Sequence, residues 1–225
     1  MAEAIGEVLL PALGVALSPF PIVAVILILT TGTGPAKGLG FAIGWMLGLA
    51  SLVGVLLLIA DWIGVEPASD GPSTTASIVR LALGVGLLVL AASKWRSRPK
   101  PGETPPTPKW MSSIKRANPL NALVIGFGLA GLNPKNLMFN LSAGTAIASA
   151  TSSPRDEVVA WIVYIILASI TVLGPVTWYL ISPGTASARL DQPRQWLVAN
   201  STAMVAVTVL LIGVSQIGKG ISGLG

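Results

Sequence analysis

The chain has 225 residues, 52% of them apolar and only 10% charged, against roughly 25% charged in ordinary soluble domains. With a mean hydropathy of +0.77 and several apolar runs above the length of about 18 residues that marks a spanning helix, this argues against a soluble fold, which needs more charge to coat it. Cys and His are both absent, which removes disulfides, thiolate metal sites, Cys electron relays and His proton switching, and no cofactor is called for.

Taken in chain order, the pattern predicts six spans. The N-terminal MAEAIGEVLL has no basic region, its first charges being Glu3 and Glu7, so it is not expected to act as a cleaved signal peptide. The first span, about 4–31, carries Ser18-Pro19-Phe20-Pro21 near its middle. The second, about 36–62, repeats Gly40, Gly44 and Gly48 every four residues, a small-residue stripe that lets another helix approach closely, within the monomer or between monomers. The third, about 74–95, holds Arg80 two turns from its start, with Asp61 and Glu66 as candidate outer partners. The segment 97–116, SRPKPGETPPTPKWMSSIKR, contains five Pro and reads as an extended spacer.

The fourth span is the most informative. Residues 118–150 as one straight helix would cover about 50 Å, against about 30 Å of hydrocarbon. The sequence Asn133-Pro134-Lys135-Asn136 in its middle predicts a break, because Pro removes a backbone donor and clashes with the preceding turn. The fifth span, about 157–181, contains Gly174-Pro175, a candidate hinge, and the sixth covers about 195–217.

Charge sets an orientation. Lys94, Arg96, Arg98, Lys100, Lys109, Lys115 and Arg116 cluster at the linker beside a single acid, Glu103, which makes this loop cytoplasmic by the positive-inside rule. Alternation then puts ten of the fourteen basic residues inside and seven of the nine acids outside, with both termini outside. The net charge of +5 is thereby accounted for by membrane anchoring and contact with anionic lipid headgroups, without nucleic acid.

The chain divides into a first three-helix half, 1–96, the linker 97–116, and a second half, 117–225. Three is odd, so the halves must be inverted. Each has a Pro-centred break in its first span, and each following helix opens on Pro, at Pro35 and Pro154. Breaks at equivalent depth in inverted halves point to a binding site at the repeat interface. The expected fold is therefore an all-α integral membrane protein, six transmembrane helices as two inverted three-helix repeats with broken first and fourth helices.

The candidate substrate-binding residues are Ser18, Pro19, Pro21, Asn133, Pro134, Lys135, Asn136 and Asn140. A Lys at mid-membrane costs about 2.5–3.5 kcal/mol and normally faces a cavity or a partner. Beside a broken helix it can meet a carboxylate, phosphate or sulfate, helped by the N–H groups and dipole of the next half-helix. Asn136 and Asn140 share a helix face and can line a polar path or bond freed backbone groups. Ser18 can do the same or bond back to its own helix. Gly126-Phe-Gly128-Leu-Ala-Gly131 matches a dinucleotide fingerprint without its strand-to-helix context, and the triplets at Asn140 and Asn200 fall inside spans. No nucleophile–base pair, carboxylate cluster or metal constellation appears, so an enzyme is not expected.

The proline-broken first span, the run GTGPAKGLGFAIGWMLG, and Asn133-Pro134-Lys135 together resemble the lysine-exporter (LysE) superfamily of small transporters. The basic, Pro-rich linker and SPFPIVAVILIL more closely resemble its GAP-like branch, the peptidoglycolipid- and sulfolipid-addressing proteins of actinobacteria. The resemblance implies an inner-membrane exporter of an amphiphile, a glycolipid or related anionic lipid, working by alternating access. It carries roles only to Pro19, Pro21, Asn133, Pro134 and Lys135. Phe20 stands where amino-acid exporters of the superfamily often have Gly, which suits a more apolar cavity. Export of a small amino acid or ion is the alternative within the same fold. A non-transporting scaffold for lipid-export machinery is the alternative outside it, and a homo-oligomer is compatible with either.

Overall fold

The computed structural model describes residues 1–30, 35–63, 74–98, 114, 117–151 and 153–224. Among these the chain is helical throughout. The helices are α1 (Ala2–Ala16), α2 (Pro19–Thr30), α3 (Pro35–Ile63), α4 (Thr74–Arg96), α5 (Pro119–Gly131), α6 (Pro134–Ala150), α7 (Pro154–Ile181) and α8 (Pro183–Ser222). Nearly all of the expected linker lies outside the described residues, as do Glu66 and the side chains of Asp61 and Arg80, so their pairing does too.

Proline writes most of the boundaries. Six of these eight helices open on Pro, whose fixed φ suits the first turn and whose missing N–H is needed least there. The residue before it is driven to extended backbone, as at Asn118 (ψ 174), Asn133 (ψ 120) and Ser153 (ψ 114). Two of those asparagines also cap: the Asn118 side chain accepts from the Asn121 N–H at 2.7 Å, and Asn133 from the Lys135 N–H at 3.2 Å.

The expected first span is two helices, α1 and α2, bent by 56° at Leu17-Ser18. The expected fourth span is likewise α5 and α6, parted at Leu132-Asn133. Among the described residues, by length and composition, three helices can cross a membrane, α3 over Pro35–Ile59, α7 and α8, or four with the bent α1–α2 pair. The last helix is much longer than the predicted 195–217, beginning at Pro183 and passing Pro193 unbroken. Pro175 is also absorbed within a continuous α7. Exposed apolar stripes such as Val158, Ile162, Ile166 and Ile170 on α7 mark this as a membrane protein, because in water they would form a costly patch.

The chain falls into two compact units, one of residues 1–67 and 106–196, the other of 68–105 and 197–225. In the first unit, contacts fix the relative helix directions. Met1 pairs through its ammonium with Asp156 at 2.8 Å, and Thr171 Oγ1 donates to the Ala16 carbonyl at 2.7 Å, so α1 and α7 run parallel in register. The α3 stripe lies along α5. A Cβ at Gly40 would run into the carbonyl oxygen of Pro119, one at Gly44 into that of Leu123, and one at Gly48 would stand 2.7 Å from that of Phe127. Reciprocally, a Cβ at Gly126 would meet the Phe41 carbonyl. Matching four-residue steps make α3 and α5 parallel, with their backbones in contact, and the glycine stripe is thus a seam within the chain. Gly38 beside Val176 and Gly54 under Trp161 make α3 and α7 antiparallel. Helix α2 is apolar on every side and correspondingly buried, Val23 to Leu29 all being at most 2% exposed.

The second unit pairs α4 with residues 197–222 of α8. Leu81 lies by Gly220, Ile217 by Gly84, and Leu88 by Gly213, an antiparallel crossing that depends on glycine on both helices. At the end of α4, Arg98 stacks over the exposed Trp95 at 4.1 Å from the ring centroid, an amphipathic pair of the kind that sits at a membrane interface.

Candidate functional site at the two helix breaks

The two proline breaks, at Pro19 and Pro134 and so 115 residues apart in sequence, meet in space. Ser18, in the joint between α1 and α2, is fully buried. Its hydroxyl donates to Asn136 Oδ1 at 3.3 Å and accepts from Lys135 Nζ at 3.3 Å. Lys135 occupies the first turn of α6, directly after the Asn133 cap. Pro19 and Pro21 open α2 on the other side of Ser18 and are buried.

Each break frees backbone carbonyls, and side chains take them up. At the end of α5, Asn136 Nδ2 donates to the Leu129 carbonyl at 2.9 Å, and Asn140 Nδ2 to that of Ala130 at 3.1 Å. Tyr164 on α7 donates to Asn140 Oδ1 at 2.7 Å. At the end of α1, Thr171 supplies the donor for Ala16. Ordinary helices satisfy these groups from the next turn; here interruption without side-chain donors would strand them in an apolar bundle. Asn136 and Asn140 are fully buried and hold the broken ends together. Of the two uses expected for them, bonding freed backbone groups is what the geometry displays.

Lys135 differs from its neighbours. Its side chain is half-buried, and among the described residues Nζ has one hydrogen-bond acceptor, the neutral Ser18 hydroxyl. The Phe139 ring lies 5.8 Å away, too far for more than a weak cation–π attraction. Among the described residues no carboxylate pairs with it. An ammonium carries three donors, so two are left for something else. Phe139 is itself seated in a slot on α1, since a Cβ at Gly14 would collide with its ring.

Residues 8–222 match the sequence model of a family described as Sap, sulfolipid-1-addressing protein. The chain belongs to that family. The match runs from α1 to the last turn of α8 and so includes both breaks and Lys135. No curated protein and no solved structure matches.

Of the residues expected at the site in this Sap-family chain, Ser18, Lys135 and Asn136 are in direct contact, Asn133 caps the helix that carries Lys135, and Asn140 supports the break one turn further on. Sequence reasoning missed Tyr164, Thr171, Gly14 and Phe139. A polar residue on an otherwise apolar α7 is a signal, but nothing in its spacing says which carbonyl it reaches. The pair Gly14 and Phe139 gave no signal, because a slot and the ring that fills it lie far apart in sequence.

Proposed function

We propose that this chain exports an anionic amphiphile, a sulfated glycolipid or related anionic lipid, across the inner membrane by alternating access. The observation that carries the reading is Lys135: an ammonium at the junction of two broken helices, with one neutral oxygen for company and no counter-ion among the described residues. Holding a charge there costs free energy, and an anionic headgroup arriving at Nζ recovers it through a charge-assisted hydrogen bond. The start of α6 adds its dipole. The sulfolipid in the family's description is an amphiphile of this kind. Acyl chains would lie along the apolar helix faces while Lys135 holds the headgroup, and Asn133, Asn136 and Asn140 keep α5 and α6 in place around it.

The same reading takes the chain as six spans in two inverted repeats of the LysE type, with linker 97–116 cytoplasmic and both termini outside. Helix directions support it. A two-fold axis in the membrane plane would exchange α1–α2 with α5–α6 and α3 with α7. It requires α3/α7 to be antiparallel, and it turns a parallel α3/α5 pair into a parallel α7/α1 pair. The glycine contacts, the Met1–Asp156 ion pair and the Thr171–Ala16 bond agree with all three.

The test is lipid movement in proteoliposomes. A fluorescent sulfated galactosylceramide is placed in one leaflet and its accessibility to a membrane-impermeant quencher followed over time. Wild type should exchange it between leaflets and Lys135→Met should not. Equal movement in both, or none in wild type, would overturn the proposal.

A further inference from the structure

The bonds around the break are not uniform. The outer ones, Tyr164 to Asn140 and Thr171 to Ala16, are 2.7 Å, and Asn136 to Leu129 is 2.9 Å. The two longest, both 3.3 Å, are the two that Ser18 makes. These are also the bonds that run from the α1/α2 joint to the first turn of α6. Ser18 is thus held at the weak end of the hydrogen-bond range, on a segment outside any helix, against a cation with donors to spare.

We infer that the Ser18 hydroxyl is the stand-in ligand of the empty site: it occupies Lys135 until an anionic oxygen of the substrate displaces it, and its departure removes the hydrogen bonds that tie the α1/α2 joint to the first turn of α6. This rests on reading Lys135 as the anion-binding cation. A neutral hydroxyl oxygen is a poorer acceptor for an ammonium than a sulfate or carboxylate oxygen, whose bonds are shorter and about twice as strong. The exchange therefore runs downhill when substrate arrives. Asn136 loses its donor from Ser18 but keeps its own bond to Leu129, so the α5–α6 break stays intact while the joint loses its polar tie to α6, the packing of Phe139 against Gly14 remaining. Displacement of Ser18 thereby ties occupancy of the site to the hydrogen bonding of the α1/α2 joint. A resting bond of this kind also lowers apparent affinity, because the substrate must compete with it.

That competition gives a sign opposite to the one expected if Ser18 contacted the substrate. The experiment is titration of the detergent-solubilised full chain with sulfated galactosylceramide bearing a brominated acyl chain, read by quenching of tryptophan fluorescence. Ser18→Ala should bind about tenfold more tightly than wild type, the size of one hydrogen bond to a charged group. Ser18→Asp, which gives Lys135 a permanent carboxylate, should lose binding while unfolding at or above the wild-type temperature. Weaker or unchanged binding by Ser18→Ala overturns the inference, and so does wild-type binding by a folded Ser18→Asp. Should Ser18→Asp not fold, the sign of the Ser18→Ala change decides alone. The underlying reading of Lys135 fails separately, if Lys135→Met binds the lipid as wild type does.

Discussion

Two glycines on one helix offer a controlled test of how α3 and α5 are joined. Gly126 and Gly128 both lie inside α5, two residues apart. At Gly126 an added Cβ would collide with the Phe41 carbonyl and stand 3.0 Å from the Trp45 backbone nitrogen. At Gly128 nothing lies within 4 Å of the same atom. Both substitutions to Ala gain the same helix propensity, about 1 kcal/mol. Only Gly126→Ala must also push apart two backbones, each fixed by its own hydrogen-bond ladder, and overpacking of that kind costs about 1–3 kcal/mol. The propensity term cancels in the comparison, so the difference between the variants is the overpacking cost itself. For a chain of this size about 2 kcal/mol corresponds to roughly 4–8 °C in unfolding temperature. Thermal unfolding in detergent, followed by tryptophan fluorescence, should place Gly126→Ala below wild type and Gly128→Ala at or above it. Equal unfolding temperatures for the two variants would refute the backbone-contact account of the seam.

The other predictions concern the broken ends. Tyr164→Phe leaves Asn140 Oδ1 without its donor and should cost about 1–2 kcal/mol of stability by the same unfolding assay. Asn133→Ala removes the cap on α6 and should cost about 1 kcal/mol, whereas Asn133→Asp or Asn133→Ser should recover most of it. Lys135→Met should leave unfolding temperature unchanged or raise it, because it removes a half-buried charge that no acid among the described residues compensates; a fall of several degrees would instead make Lys135 a structural residue.

Much of this architecture could be read before any coordinates. Proline is the reason: it disfavours the interior of a helix and favours its first turn, so Pro19, Pro35, Pro119, Pro134 and Pro154 mark helix starts, although Pro11, Pro175 and Pro193 are absorbed within helices. The excess length of 118–150 announced the break as well. Partners were less legible. The stripe Gly40, Gly44, Gly48 declares a close approach but not to what. Its answer was present as Ala122, Gly126 and Ala130, small residues at the same four-residue step, masked by the overlapping look-alike of a nucleotide-binding loop. The expected sixth span, 195–217, covers only the apolar part of α8; the helix also takes in the polar run from Pro183 to Arg194, where no apolar pattern marks it and Pro193 is absorbed. At the site, chemistry identified Lys135 and Ser18 one at a time. Their meeting depends on a bend of 56° in the first helix pair, which no local pattern specifies.

The central claim is that Lys135 binds the anionic headgroup, and native mass spectrometry of the full chain in detergent tests it most directly. The protein is mixed with equal amounts of galactosylceramide and its sulfated form, two lipids that differ only in the anion. Wild type should retain the sulfated lipid in clear preference, and Lys135→Met should retain the two alike. Equal retention by wild type, or an undiminished preference in Lys135→Met, would contradict the account.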